Sequence, residues 1–212
     1  MADNWQSVLE KVMEIAEPAL KSEKTRWTVV GSVATALQGG QITPRDIDLL
    51  AKEQTGVFHF VELMEPYTPE SVAHPPDHDE WTSSKEQPIS EGPDDYGFYW
   101  TFARWMIDGV KVEIAHIVGP EAMRTSQEGA GIWEAGPEIW PHIRRVSFRG
   151  HRVPVVPLEI QLGTSLGRGL DQRVAEIVRV LDRDGYDEML IGKALSPDHY
   201  ESFERLISAE LS

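Results

Sequence analysis

Two carboxylates stand two residues apart in the segment Asp46-Ile47-Asp48-Leu49-Leu50. Successive side chains of a β-strand point to opposite sides, so Asp46 and Asp48 would project together while Ile47 and Leu49 face the core. Adjacent carboxylates repel each other, and the pair is costly unless a cation or a shared proton relieves it. Because hard oxygen ligands of this kind suit Mg²⁺, the pattern predicts a metal-binding strand.

A glycine and a serine precede this pair at a predicted strand-to-helix junction. Thr28-Val29-Val30 is a β-branched run typical of a buried strand, and the helix-compatible segment 33–37 ends before two further glycines. Gly31 would let the backbone come close to a ligand. The N–H groups of the helix start and the Ser32 hydroxyl would then face an anion. A phosphate-binding junction beside a carboxylate pair is what a metal-bound triphosphate requires.

A third carboxylate lies in a predicted hairpin. The segments 99–107 and 110–117 are extended and apolar, and Asp108-Gly109 between them is a strong two-residue turn signal. Glu113 falls on the opposite face from Val112 and Ile114. It would join the two aspartates if these strands are near neighbours, which the spacing does not show.

Three motifs in this order resemble the signature of the nucleotidyltransferase superfamily, whose fold is shared with DNA polymerase beta. They are Gly31-Ser32, Asp46-x-Asp48 and Glu113. The resemblance implies an α+β fold with a mixed, mostly antiparallel sheet flanked by helices, and a two-metal Mg²⁺ site at the three carboxylates. It also implies that Gly31 and Ser32 hold the β- and γ-phosphates. If the D-x-D motif stood alone, Asp46 and Asp48 would be better explained as a solvated strand end and Glu113 as an edge charge. The presence of all three motifs in this order favours a functional site.

From Pro157 the pattern becomes helical, with Val174, Ile177, Val178 and Leu181 at helical spacing. We therefore predict a catalytic domain over 1–156 and a C-terminal helical subdomain over 157–212. The segments 156–159 and 167–171 are similar to the C-terminal part of bacterial abortive-infection toxin-type and small antibiotic-modifying nucleotidyltransferases. Those relatives often carry a lysine in the first of these helices, whereas this chain has Gln161 in that area and no lysine between 158 and 170. Arg168 and Arg173 are the candidates to replace it in nucleotide binding.

The composition limits the partners. With 20 basic and 35 acidic residues the chain has a net charge of −15, which repels long nucleic acids although a tRNA remains open. No cysteine is present, so neither a disulfide framework nor a thiolate zinc site is possible. The first residues lack the apolar core of a signal peptide and no stretch approaches a membrane span, so we expect a cytoplasmic protein.

Two segments have open interpretations. The proline-rich stretch 66–93 reads as an irregular, solvated loop, and a metal site at His74, Asp77 and His78 is the less favoured alternative because prolines leave no regular face. The basic segments 144–148 and 152–156 flank a turn and predict a hairpin. Their arginines either contact phosphate or, as we favour, occupy exposed positions on an edge strand.

The leading functional hypothesis is Mg²⁺-dependent transfer of a nucleoside monophosphate from a triphosphate such as ATP to a hydroxyl acceptor, with release of pyrophosphate. The acceptor could be a small molecule, a protein or a tRNA, and the toxin-type resemblance raises an antitoxin partner. The alternative is a catalytically idle module of the same fold that binds a nucleotide or a protein, as the missing helix lysine and the acidic loop suggest.

Overall fold

The computed structural model of the protein describes residues 4–21, 26–72, 80–119 and 129–210. The strands within these ranges are β1 (Trp27–Val30), β2 (Asp46–Ala51), β3 (Ser90–Pro93), β4 (Tyr99–Ile107), β5 (Val110–Val118), β6 (Arg144–Phe148) and β7 (His151–Val155). The α-helices are α1 (Asn4–Ala16), α2 (Gly31–Leu37), α3 (Gln54–Leu63), α4 (Leu158–Gly167), α5 (Asp171–Asp184), α6 (Glu188–Ala194) and α7 (Pro197–Glu210).

The strands form one sheet in the order β3-β4-β5-β2-β1-β7-β6. β2 runs parallel to β5 and β1 runs parallel to β7, whereas the other four neighbouring pairs are antiparallel. The predicted α+β class with a mixed, mostly antiparallel sheet is therefore confirmed.

Both predicted hairpins form through two-residue turns. Asp108 and Gly109 have φ angles of 49° and 79°, and Arg149 and Gly150 have φ angles of 47° and 90°. Positive φ at both central residues matches the right-handed twist of the flanking strands. The second turn places β6 at the edge of the sheet, where Arg144 and Arg145 are exposed, as expected for an edge strand.

The main core lies between one face of the sheet and helices α1 and α3. Val8, Leu9 and Val12 of α1 are fully buried there, as the helical spacing of these residues requires. Phe60 of α3 packs between Trp27 and Trp105, at 5.9 Å between ring centroids in both cases. Because this face is filled, the polar side chains of β2 and β5 face the opposite side of the sheet.

The C-terminal helices cover part of that opposite side. Ile160 of α4 and Leu190 of α6 join Leu50 and Val156 in an apolar cluster, while α4, α5 and α7 share a second cluster around Leu162, Ile177 and Phe203. Helix α6 was not anticipated as a separate element. The division of the chain at residue 156 stays a prediction.

The proline-rich segment is more ordered than expected. Its described residues include β3 and the buried Trp81 and Ser83, and the Ser83 N–H donates to the Arg104 carbonyl at 2.7 Å. The interpretation as a solvated loop is therefore wrong for this part, because backbone pairing with β4 holds it in place. The alternative metal ligands His74, Asp77 and His78 lie outside the described residues. In the part of the chain that is described, no helix is both long and apolar enough to cross a membrane.

Candidate functional site

The structure places the three predicted carboxylates on one face of the sheet. β2 and β5 are parallel neighbours, and Asp48 is in register with Glu113. Residues opposite each other in adjacent strands project from the same side, and Asp46 lies two residues away on that same side. Ile47 on the other face is fully buried. The adjacency that the resemblance implied is confirmed, while the roles of the three residues stay predictions.

Two of the three carboxylates have a cationic partner. Arg104, opposite Glu113 in β4, donates from Nε and Nη2 to Glu113 Oε2 at 2.7 and 2.6 Å. Lys111 Nζ lies 3.6 Å from Asp46 Oδ2. Over the described ranges, no three histidine, aspartate or glutamate side chains converge into a ready-made metal-binding group. Arg104 and Lys111 instead neutralise part of the charge of Glu113 and Asp46.

Asp48 is different because no hydrogen bond or ion pair reaches its carboxylate from any described residue. Burial, and after it the negative charges of Asp46 and Glu113, together raise the pKa of Asp48 from 3.8 to about 7. Ionised Asp48 is therefore under-compensated. A divalent cation held by its oxygens and those of Asp46 would supply the missing positive charge, so the donor set fits Mg²⁺.

The strand-to-helix junction passes directly beside Asp48. Gly31 has a φ of +66°, and a Cβ atom added to it would lie 3.1 Å from Asp48 Oδ2. Only glycine combines this backbone conformation with so close an approach. The Gly31 N–H points into the same space and donates to Glu134 Oε1 at 2.6 Å.

Two cavities meet at this junction. A cavity of about 250 Å³, here called the inner cavity, is lined by the site residues Gly31, Asp48, Glu113 and Arg168, together with Trp100, Trp133, Glu134, Thr164 and Arg173. A larger cavity of about 720 Å³, the outer cavity, is lined by Ser32, Arg45, Asp46 and Arg173, among others. Among the predicted residues, Ser32 and Asp46 thus line a different cavity from Gly31, Asp48, Glu113 and Arg168. The two sets adjoin through Arg173.

No protein-family model matches the sequence, and no curated protein matches it. A predicted nucleotidyltransferase from Thermotoga maritima has a similar solved structure, at 22% sequence identity and a TM-score of 0.55, over 86% of this chain and 96% of the other. The chain has a nucleotidyltransferase-type fold. The nucleotidyltransferase toxin MenT4 from Mycobacterium tuberculosis is also similar, at 14% identity and a TM-score of 0.44, over 90% of this chain and 61% of the toxin.

Sequence reasoning missed Glu134 in this nucleotidyltransferase-type fold. Glu134 is only 6% exposed, yet it bears a carboxylate. Burial raises its pKa, and the hydrogen bond from Gly31 and the charges of Arg173 and Arg168 oppose that rise. The local sequence gives no signal for this role, because Glu134 lies among glycines and tryptophans outside any strand or helix.

Gln161, which lies where the resemblance led us to expect a lysine, has a structural role. Its Nε2 donates to the Val156 carbonyl at 2.7 Å, and its Oε1 accepts from the Thr35 hydroxyl at 2.6 Å. Gln161 is fully buried, so it links α4 to α2 and to the end of β7 without reaching the cavities. The cationic side chains that line the inner cavity are Arg168 and Arg173, and their role in nucleotide binding stays a prediction.

Proposed function

We propose that the protein is a metal-dependent nucleotidyltransferase that moves a nucleoside monophosphate from a nucleoside triphosphate to a hydroxyl group and releases pyrophosphate. The observation that carries this proposal is the placement of Asp46, Asp48 and Glu113 on one sheet face beside Gly31. The fold supports it, because neighbouring strands of a nucleotidyltransferase-type sheet bring these residues together.

The metal would be held by Asp46 and Asp48. The uncompensated charge of Asp48 supports this assignment, and Mg²⁺ favours carboxylate oxygens. When bound, two Mg²⁺ ions would neutralise the triphosphate and lower the pKa of the acceptor hydroxyl.

Groups of the protein itself would bind the phosphates and accept the proton. The Gly31 N–H and the Ser32 hydroxyl donate to phosphate oxygens, and Arg168 neutralises part of the phosphate charge. Glu113, held in place by Arg104, accepts the proton of the acceptor hydroxyl. The acceptor oxygen then attacks the α-phosphorus in line, so that a new P–O bond forms while the bond to the β-phosphate oxygen breaks and pyrophosphate leaves.

A further cavity of about 670 Å³ offers an entry route for the acceptor. Glu113 and Trp100 line both this cavity and the inner cavity, whereas Phe102 and Arg104 line this cavity alone. An acceptor entering there would reach Glu113 through a cavity that Gly31, Ser32 and Arg168 do not line. A small molecule, a protein segment and a tRNA end all remain acceptor classes to screen.

Calorimetric titration of each nucleoside triphosphate, first with Mg²⁺ and then with EDTA, tests the proposal together with a pyrophosphate-release assay. We expect one triphosphate to bind only with Mg²⁺, and Asp48→Ala to abolish this binding. The matched control is Asp182→Ala, which removes an exposed carboxylate of α5. Tight binding without pyrophosphate release for any acceptor would favour the idle module, and unchanged turnover in Asp46→Asn would refute the assignment of the metal ligands.

A further inference from the structure

The inner cavity already contains an anion that belongs to the protein. Glu134 Oε1 accepts the Gly31 N–H at 2.6 Å, and Glu134 Oε2 lies 3.7 Å from Arg173 Nη1. A backbone N–H next to a carboxylate pair, faced by a guanidinium, is also the set of donors that a phosphate group would use. Glu134 therefore occupies the position that the proposed function assigns to a phosphate oxygen.

The segment that carries Glu134 is anchored by its backbone. The Glu134 N–H donates to Thr164 Oγ1 at 3.0 Å, and the Ile132 N–H donates to the Ala194 carbonyl at 3.0 Å. A Cβ atom at Gly131 would lie 2.5 Å from that same carbonyl, so the segment packs closely against α6. With the backbone held at two points, the Glu134 side chain can leave Gly31 by rotation while its segment stays in place.

Arg173 is incompletely satisfied by Glu134. Its Nη1 atom is buried and has no hydrogen-bond partner among the described residues, since the 3.7 Å to Glu134 is too long for a hydrogen bond. Arg173 also lines both the inner and the outer cavity. A phosphate has more acceptor oxygens than a carboxylate, so it could satisfy Gly31 and Arg173 at the same time.

Charge disfavours holding the Glu134 carboxylate and a phosphate in the inner cavity together. Asp48, Glu113 and Glu134 line the inner cavity against the cations Arg168 and Arg173. A triphosphate adds several negative charges, and Coulomb repulsion at short range in a partly buried site disfavours keeping the Glu134 carboxylate beside it.

We propose that Glu134 is an internal substitute for a phosphate, and that substrate binding exchanges its carboxylate for a phosphate group, with Arg173 changing partner from Glu134 to that phosphate. This inference rests on the proposed function and extends it to how the site is controlled. In the empty site Glu134 occupies the Gly31 N–H and faces Arg173, which reduces the affinity of the site for simple anions.

Inorganic tripolyphosphate, titrated calorimetrically in EDTA at pH 8, is the probe because it needs neither metal nor acceptor. We expect Glu134→Gln to bind it at least tenfold more tightly than the wild-type protein and Arg173→Gln at least tenfold more weakly. The double variant should lose most of the gain. Glu201→Gln, which removes an exposed carboxylate of α7, is the charge-matched control and should stay within twofold of wild type.

The exchange is overturned if Glu134→Gln binds tripolyphosphate no more tightly than the control variant does, and Glu134 is then only a structural contact. It is also overturned if no variant binds tripolyphosphate. If Glu134→Gln does not fold by circular dichroism, Glu134→Ala replaces it, because it also removes the carboxylate from Gly31 and should give the same gain. The pyrophosphate-release assay separates the two proposals. Release by the wild-type protein without a gain in Glu134→Gln overturns only the exchange, whereas a gain without release by any variant overturns only the transferase activity.

Discussion

Replacing Asp48 with asparagine should stabilise the metal-free protein, and by an amount that grows with pH. The pKa of Asp48 rises from 3.8 to about 7 on folding, chiefly through burial and then through Asp46 and Glu113. Because the folded-state pKa lies above the unfolded one, the native protein binds more protons than the unfolded chain between about pH 4 and pH 7. Stability is therefore lost as the pH rises through that window.

The magnitude follows from the shift. At about 1.4 kcal/mol per pKa unit, ionised Asp48 costs about 4 kcal/mol at pH 8. At pH 5 the cost is below about 2 kcal/mol, since the native carboxyl is then protonated while the unfolded one is mostly ionised. Asparagine resembles the protonated acid in shape and does not titrate. Asp48→Asn should therefore exceed the wild-type protein in free energy of unfolding by these amounts.

Urea unfolding of the metal-free protein at pH 5 and pH 8 measures both differences. Asp182→Asn, an exposed substitution on α5, controls for the loss of one negative charge. Added Mg²⁺ should then narrow the gap at pH 8, because it stabilises only the protein that can bind it, by about 3 kcal/mol at a hundred times its Kd. A stability difference that is equal at both pH values, or larger at pH 5, would refute the reasoning.

Three further substitutions test the supports of the site by denaturant unfolding. Gly31→Ala should lower the free energy of unfolding more than Gly109→Ala does. Both positions have positive φ, which costs alanine about 1–2 kcal/mol, but only at Gly31 does the new Cβ atom meet a carboxylate. Equal losses in the two variants would contradict the close approach of Gly31 to Asp48. Arg104→Met should lower the free energy of unfolding by about 2–4 kcal/mol, because Glu113 loses its ion-pair partner. Adding Glu113→Gln to this variant should restore much of the lost stability. No recovery in the double variant would show that the broken ion pair is not the cause. Gln161→Ala should lower the free energy of unfolding by about 2–3 kcal/mol, because it removes two hydrogen bonds and leaves a small cavity. The same variant should change the affinity for tripolyphosphate by less than about twofold. A large loss of affinity would place Gln161 in the site.

Part of the site was readable from local patterns. The alternation in β2 predicted which side of the strand carries Asp46 and Asp48, and the burial of Ile47 agrees with it. The two-residue turn at 108–109 also fixes the register of the hairpin, so that Arg104 lies opposite Glu113. That ion pair therefore follows from the turn and from the opposite charges of the two residues.

Other features had no local signal. Lys111 lies beside Asp46 because β5 pairs in parallel with β2, and parallel pairing requires a long crossover connection that leaves the register free until the core packs. The segment containing β3 looked solvated by composition, whereas pairing with β4 decided its conformation.

Side-chain periodicity and turn geometry act over a few neighbouring residues, so the sequence alone predicted β2, the two hairpins and the chemical types at the site, but not β3. Only the tertiary structure decided which charges meet. Glu134 reaches Gly31 from 103 residues away along the chain, and no pattern near either residue encodes that contact. It arises because α1 and α3 fill one face of the sheet, so that the polar face of β2 and β5 is left to the C-terminal helices and the segment packed on them. The set of charges in the inner cavity therefore depends on how distant segments pack together. Burial of the core imposes that packing, whereas local sequence does not.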